Sequence, residues 1–277
     1  LNIFEFRSFI SLNLSMSIIS SGGFLPTNSL SVLLNSQTKQ VIFSLLMLFS
    51  FFSLFFTYNL VLYKKKGIKF IHEDIYLIFY LLVIFFGFFI LIDKNINFSL
   101  IFLAICSSVS NIGVSMSDTP DYLSFIFLVL IIIGGSFYST SSGLRFIKIY
   151  SLFKFSINEM ISHAKPKNIF INKLAFSEKN MQTSDFYKYF LTVIIFIISL
   201  SLLTSILSIS GLDLQNAFKL SILTIMNTVN SSMTGLNDFN FEDLHYITKY
   251  SLILFMIIGR VELLTVLIIS KKFFFKN

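Results

Sequence analysis

A unit recurs three times along this chain and limits what it can fold into: a short apolar helix, a small polar stretch prone to bend, then a long apolar segment. The bends read Ile19-Ser20-Ser21-Gly22-Gly23-Phe24, Val109-Ser110-Asn111-Ile112-Gly113-Val114 and Asn227-Thr228-Val229-Asn230-Ser231-Ser232. The helices predicted before them, roughly 7–19, 98–108 and 215–226, are too short to cross a bilayer, which takes about 20 apolar residues. A half-crossing that turns back through irregular backbone survives at membrane depth only where it lines a cavity or is buried in protein. Three of them imply a common axis with a pore along it.

Apolar residues make up 55% of the 277 residues and charged ones only 13%, and the mean hydropathy is +0.81. Soluble domains carry about 25% charged residues, so the expected class is an all-α integral membrane protein. The 36 Phe against no Trp read as lipid-facing filler in a sequence biased toward Phe, Ile, Lys and Asn. Cys106 is the only cysteine, so an intrachain disulfide is excluded. The net charge of +7 is not that of a nucleic-acid binder, because the basic residues gather between the apolar runs, where they orient a membrane domain. No cleavable signal pattern is present. A chain opening at Leu1 is expected to be a fragment.

Five segments are long enough to span, at roughly 41–62, 75–92, 123–149 (interrupted), 187–209 and 247–270. Lys64, Lys65, Lys66 and Lys69 follow the first of them. Arg145, Lys148, Lys154, Lys165, Lys167, Lys173 and Lys179 follow the third, and Lys271, Lys272 and Lys276 the last. The opposite connections carry Asp93, Asp118, Asp121, Asp213, Asp238, Glu242 and Asp243. The positive-inside rule then puts the Lys-rich ends in the cytoplasm and the bends on the external side. The repeating unit is span, short helix, bend, span. Residues 1–66 hold the end of one unit, 67–155 a complete unit, 156–186 a polar cytoplasmic loop with Pro166 and room for one surface helix, and 187–277 another complete unit. Laid over each other at the bends, Val109–Gly113 falls on Met226–Asn230.

A cation crossing a bilayer must have its hydration replaced, and rings of backbone carbonyls do this in known filters. Carbonyls reach an axis only if consecutive residues take backbone angles that L-residues resist, which glycine allows. Gly22, Gly23 and Gly113 stand where such a strand needs them, and the hydroxyls of Ser20, Ser21 and Ser110 can satisfy freed backbone groups. The short helices point their partially negative C-terminal ends inward, a polarity that favours a cation. The plainer reading of any one bend is a hairpin that packs through small residues; three in register favour a pathway. The candidate ion-binding residues are thus Ser20, Ser21, Gly22 and Gly23; Ser110, Asn111, Ile112 and Gly113; and Asn227, Thr228, Val229 and Asn230.

Two further features lie at membrane depth. Gly134-Gly135-Ser136-Phe137-Tyr138-Ser139-Thr140-Ser141-Ser142-Gly143 interrupts a span with the strongest run of helix-weakening residues in the chain. It is read as a broken helix, serving as a gate or as a packing kink. Arg260 stands inside the last span, where a centred Arg costs about 2.5–3.5 kcal/mol and so faces a cavity or a partner. It either borders the pathway or caps stray carbonyls of a broken neighbour, two compatible roles. Glu262 is on another helix face, and Arg145 and Lys148 are read as orientation determinants. His72, His163 and His245 have no metal-ligand spacing, no serine has a base beside it and no phosphate loop is present. Neither an enzyme nor a transition-metal site is expected.

Gly22-Gly23-Phe24 after a short helix, Gly134-Gly135 followed by Ser139-Thr140-Ser141-Ser142-Gly143-Leu144-Arg145, and Gly259-Arg260-Val261-Glu262 together resemble the Trk/Ktr/HKT potassium transporter superfamily, specifically its TrkH-type membrane subunit. The resemblance runs the length of the chain. It implies a potassium-channel-like pore in the bacterial plasma (inner) membrane, four units in a complete chain, and K⁺ as the transported ion with no other cofactor. This chain would then hold the end of the second unit and all of the third and fourth. The resemblance makes Gly134, Gly135, Ser139, Thr140, Ser141, Ser142 and Gly143 an intramembrane gate loop, with Arg260 a positive barrier beside it. It places glycine where this chain has Asn230. It also implies a homodimer with a cytoplasmic nucleotide-binding regulatory subunit, TrkA-like, and lipid as the surrounding partner. The alternative function is a truncated or degenerate, non-conducting relative serving as a scaffold.

Overall fold

The structure is a computed structural model that describes residues 7–27, 30–62, 71–91, 97–116, 120–164, 183–230, 232–236, 241–242 and 244–261. Among these residues the fold is all-α. The helices are α1 (Ser8–Ile19), α2 (Leu30–Leu33), α3 (Gln37–Phe51), α4 (Leu54–Leu62), α5 (Ile71–Leu91), α6 (Phe98–Val109), α7 (Ser124–Ile132), α8 (Phe146–Ala164), α9 (Thr183–Ile209), α10 (Leu214–Met226) and α11 (Tyr246–Val261). Single 3₁₀ turns lie at Asp121–Leu123 and Ser232–Thr234.

The three short helices appear as α1, α6 and α10, of 12, 12 and 13 residues. At 1.5 Å per residue each is about 18–20 Å long, too short for a crossing of about 30 Å. Glu73–Ile90 in α5 and Phe186–Ile209 in α9 are long and apolar enough to cross a membrane. α6 is the centre of the molecule: every residue from Ser99 to Val109 except Phe102 is buried. It packs on α3 and α7, while α10 packs on α7, α9 and α11. α1 rests on α3, burying Leu14 and Ile18 and leaving Phe9, Leu12, Met16 and Ile19 exposed.

One expectation about elements changes. The span expected at 41–62 is not one helix; it breaks at Phe52–Ser53 into α3 and α4. Ser53 starts α4 as its N-cap, its Oγ accepting from Phe56 N at 3.1 Å. The carboxylate of Asp74 takes Ser53 N–H at 3.0 Å and its hydroxyl at 2.6 Å. Helix α8 continues into the polar stretch expected from residue 156, as far as the described residues reach at Ala164. The last span is described only as α11, to Val261. Outside the described residues lie Lys64, Lys65, Lys66, Lys69, Asp93, Asp118, Lys165, Pro166, Lys167, Lys173, Lys179, Asp238, Asp243, Glu262, Lys271, Lys272 and Lys276, with most of the loop expected at 156–186.

Candidate functional site

The short helices end alike. Ser21, Asn111 and Asn227 take left-handed backbone at φ 50°, 58° and 53°, a region open to few residues other than Gly and Asn. Each N–H at this position reaches back three residues: Ser21 to Ile18 O (3.1 Å), Asn111 to Ser108 O (3.2 Å) and Asn227 to Thr224 O (3.2 Å). The next N–H reaches back five: Gly22 to Ser17 O (2.9 Å), Ile112 to Ser107 O (3.1 Å) and Thr228 to Leu223 O (2.9 Å). This is the Schellman closure, made three times with the same pattern. The side chains of the left-handed residues tie each bend to a neighbour. Asn111 Nδ2 donates to Ile131 O at 2.8 Å, Asn227 Nδ2 to Met256 O at 2.9 Å, and Ser21 Oγ pairs with Thr140 Oγ1 at 3.5 Å.

This closure corrects the register of the third bend by one residue. Asn227, not Thr228, matches Asn111, so Val229 rather than Asn230 falls where Gly23 and Gly113 stand. Gly23 and Gly113 are left-handed at φ 67° and 83°, and Val229 is absent from the positive-φ residues. Local sequence similarity misaligned the bends because Asn227 serves as both cap and left-handed residue, whereas Ser110 and Asn111 divide those tasks.

The bends then meet. Val229 N–H donates to Ile112 O at 3.4 Å. A side chain at Gly23 would run into Ile112 O and lie 2.6 Å from Val229 Cγ2; one at Gly113 would strike Val229 O and lie 2.6 Å from Thr228 Cγ2. Only glycine fits at either place. Asn230 turns away from this meeting point, donating to Leu236 O at 3.2 Å and accepting from Thr234 Oγ1 at 2.8 Å. Beyond it, Ser115 and Ser232 join the second and third bends through a 2.9 Å hydroxyl pair.

Residues 134–143 form an irregular loop between α7 and α8 whose freed backbone groups are largely taken up. Gly134 N bonds Leu144 O (2.9 Å), Ser136 N bonds Phe51 O (3.0 Å), Ser141 N bonds Ser50 O (3.1 Å), and Phe146 N bonds Gly135 O (3.1 Å). Gly135 N donates to Ser141 Oγ at 3.0 Å, Ser139 Oγ to Ser136 O at 2.7 Å and Thr140 Oγ1 to Ser50 O at 3.4 Å. Gly143 closes the loop at φ 89°. Arg145, read from sequence as an orientation determinant, turns into this loop: Nη1 lies 3.0–3.2 Å from Ser136 O, Ser139 O, Ser139 Oγ and Ser141 O. The three loop carbonyls that face it, Ser136 O, Ser139 O and Ser141 O, explain the change of role.

Arg260 bridges the loop and the first bend, Nη1 to Ser142 Oγ at 3.0 Å and Nη2 to Ser20 O at 2.7 Å. Ser20 O lies at the C-terminal, partially negative end of α1. Arg260 also lines a cleft of about 560 Å³ with Ser20, Phe24, Asn227, Val229 and Met256. Sequence reasoning missed Glu73, Asp74 and Ser53, which hold the two helix breaks. The only sequence signal was an acid pair at the edge of an apolar span.

A sequence 27% identical over 167 residues, 59% of this chain, is the Trk system potassium uptake protein TrkH of Escherichia coli K12. The Salmonella typhimurium protein of the same name matches equally. The potassium transporter TrkH from Vibrio parahaemolyticus superposes with a TM-score of 0.79 over 95% of this chain, at 21% identity. The chain has the TrkH fold. That fold is an all-α membrane fold, here present in part: the match covers 33% of the curated TrkH sequences and 58% of the solved TrkH chain. No family model matches.

Proposed function

We propose that the chain is the larger part of a potassium pathway, in which the three bends contribute backbone to one filter and the loop 134–143 gates the passage beneath it. The observation that carries this reading is the threefold Schellman closure at Ser21, Asn111 and Asn227, which sends three backbones from three helix ends to one meeting point. Such ends offer carbonyls and a negative dipole to a cation. The similarity to proteins named for potassium uptake supports K⁺ as the ion. In this reading residues 1–66, 67–155 and 187–277 are an incomplete and two complete units. Arg260 bars the passage electrostatically. The protein is a multi-pass inner-membrane homodimer that moves K⁺ inward under a cytoplasmic nucleotide-binding regulator.

One observation favours the second reading, a non-conducting scaffold: the Val229 side chain packs against Gly23 at the meeting point. The deciding experiment is rubidium uptake in a potassium-uptake-deficient bacterium expressing a chimera, with the first part of the Escherichia coli relative joined before Leu1. Uptake above that of empty cells supports the pathway. A membrane-inserted chimera without uptake supports the scaffold.

A further inference from the structure

Glu73 and Asp74, in the first turn of α5, take no part in the pathway just described, yet they are 4% and 0% exposed. Burying a carboxylate is costly unless donors replace its water, and donors are supplied to both. Glu73 Oε2 accepts from Ser136 Oγ at 3.0 Å and Oε1 from Phe137 N at 3.0 Å. Asp74 accepts from Ser53 N at 3.0 Å and Ser53 Oγ at 2.6 Å. The positive end of the α5 dipole favours both charges.

The two acids are adjacent, so on a helix they point about 100° apart and serve different partners. Glu73 grips the loop 134–143 directly. Asp74 grips Ser53, immediately past the α3 end whose Ser50 and Phe51 carbonyls accept from Ser141 N and Ser136 N of the same loop. Both arms therefore lead to one place.

We infer that Glu73 and Asp74 are positioning residues that set the place of the loop 134–143, Glu73 from the loop's own backbone and Asp74 through the end of α3. Bonds to a charged acceptor are about twice as strong as neutral ones, which suits a loop that must hold one position at membrane depth. Its consequence for transport rests on the loop being a gate; the positioning does not.

The test reads the loop without transport. Thr140→Cys is made in the full chain, whose single native cysteine, Cys106, is 0% exposed. Its modification rate by a charged methanethiosulfonate is followed in bacterial membranes. A second reporter, Ser221→Cys, sits on α10 at a 0% exposed position. Glu73→Ala and Asp74→Ala, each of which loses two charge-assisted bonds, are each expected to raise the rate at position 140 by at least about tenfold, and to leave position 221 unchanged. Glu73→Gln, which keeps one acceptor oxygen, should give a smaller rise. If Glu73→Ala does not yield monodisperse protein in detergent, Ser136→Ala removes a bond from the loop side and is expected to raise the rate likewise. An unchanged rate at position 140, or an equal rise at position 221, overturns the inference. Neither result depends on whether the chain carries potassium.

Discussion

Single residues decide how the three bends differ. Val229 brings a branched side chain to a point where Gly23 and Gly113 bring none. In the chimera, Val229→Gly is expected to raise rubidium uptake severalfold at matched expression; an unchanged rate would place the ion's route elsewhere. Arg260 holds a fixed positive charge against Ser20 O at 2.7 Å, where, on the proposed reading, a passing cation would meet repulsion. Unit charges about 4 Å apart interact with about 4 kcal/mol at an effective dielectric of 20, an upper limit here. Arg260→Ala should therefore raise chimera uptake by up to about tenfold, while Arg260→Lys, which keeps the charge, should change it little. Asn111 separates backbone from side chain. Both Asn111→Gly and Asn111→Ala lose the bond to Ile131 O, but only Ala resists φ 58°. The Ala variant should be about 1–2 kcal/mol less stable than the Gly variant, read as a lower unfolding midpoint in detergent.

Beyond helix packing, elements are joined here at their breaks as well. The α3–α4 break and the α7–α8 loop lie against each other, and one turn of α5 reaches both. Ser53 carries two duties in this arrangement, as N-cap of α4 and as donor to Asp74. Ser53→Ala should lose about 1 kcal/mol of capping and a charged bond of about 1.5–3 kcal/mol, making it one of the more destabilising single changes in the chain. Thermal unfolding followed by size-exclusion in detergent measures it; a midpoint like that of the parent chain would show that neither duty matters. The short helices behave differently. α6 is enclosed almost all round, whereas α1 turns Phe9, Leu12, Met16 and Ile19 outward, an apolar stripe recurring at helical spacing.

For the whole molecule, a cleft bounded by the α1 bend, α10 and Arg260 opens beside the point where all three bends meet. On the proposed reading of four units around one axis, a fourth bend would fill this gap. Residues 1–277 alone are thus expected not to restore growth of a potassium-uptake-deficient bacterium at low external K⁺, because an incomplete ring leaves part of the ion's hydration unreplaced. Growth restored by the chain alone would contradict the account of the gap, though not of the bends.

What was legible in the sequence is what local chemistry determines. The lengths of α1, α6 and α10 follow from where apolar residues stop and Ser, Gly and Asn begin, and the membrane class follows from hydropathy. The resemblance carried by the Gly-Gly, Ser-Thr and Gly-Arg stretches pointed to the TrkH fold that superposition shows. Tertiary structure alone decided the register of the third bend, the inward turn of Arg145, the break at Ser53 and the duties of Glu73 and Asp74. The last two depend on partners distant along the chain: Ser53 and Asp74 are 21 residues apart, and Ser136 and Glu73 are 63 apart. A buried carboxylate must find donors wherever the fold brings them, and no pattern within one helix records which backbone N–H that will be.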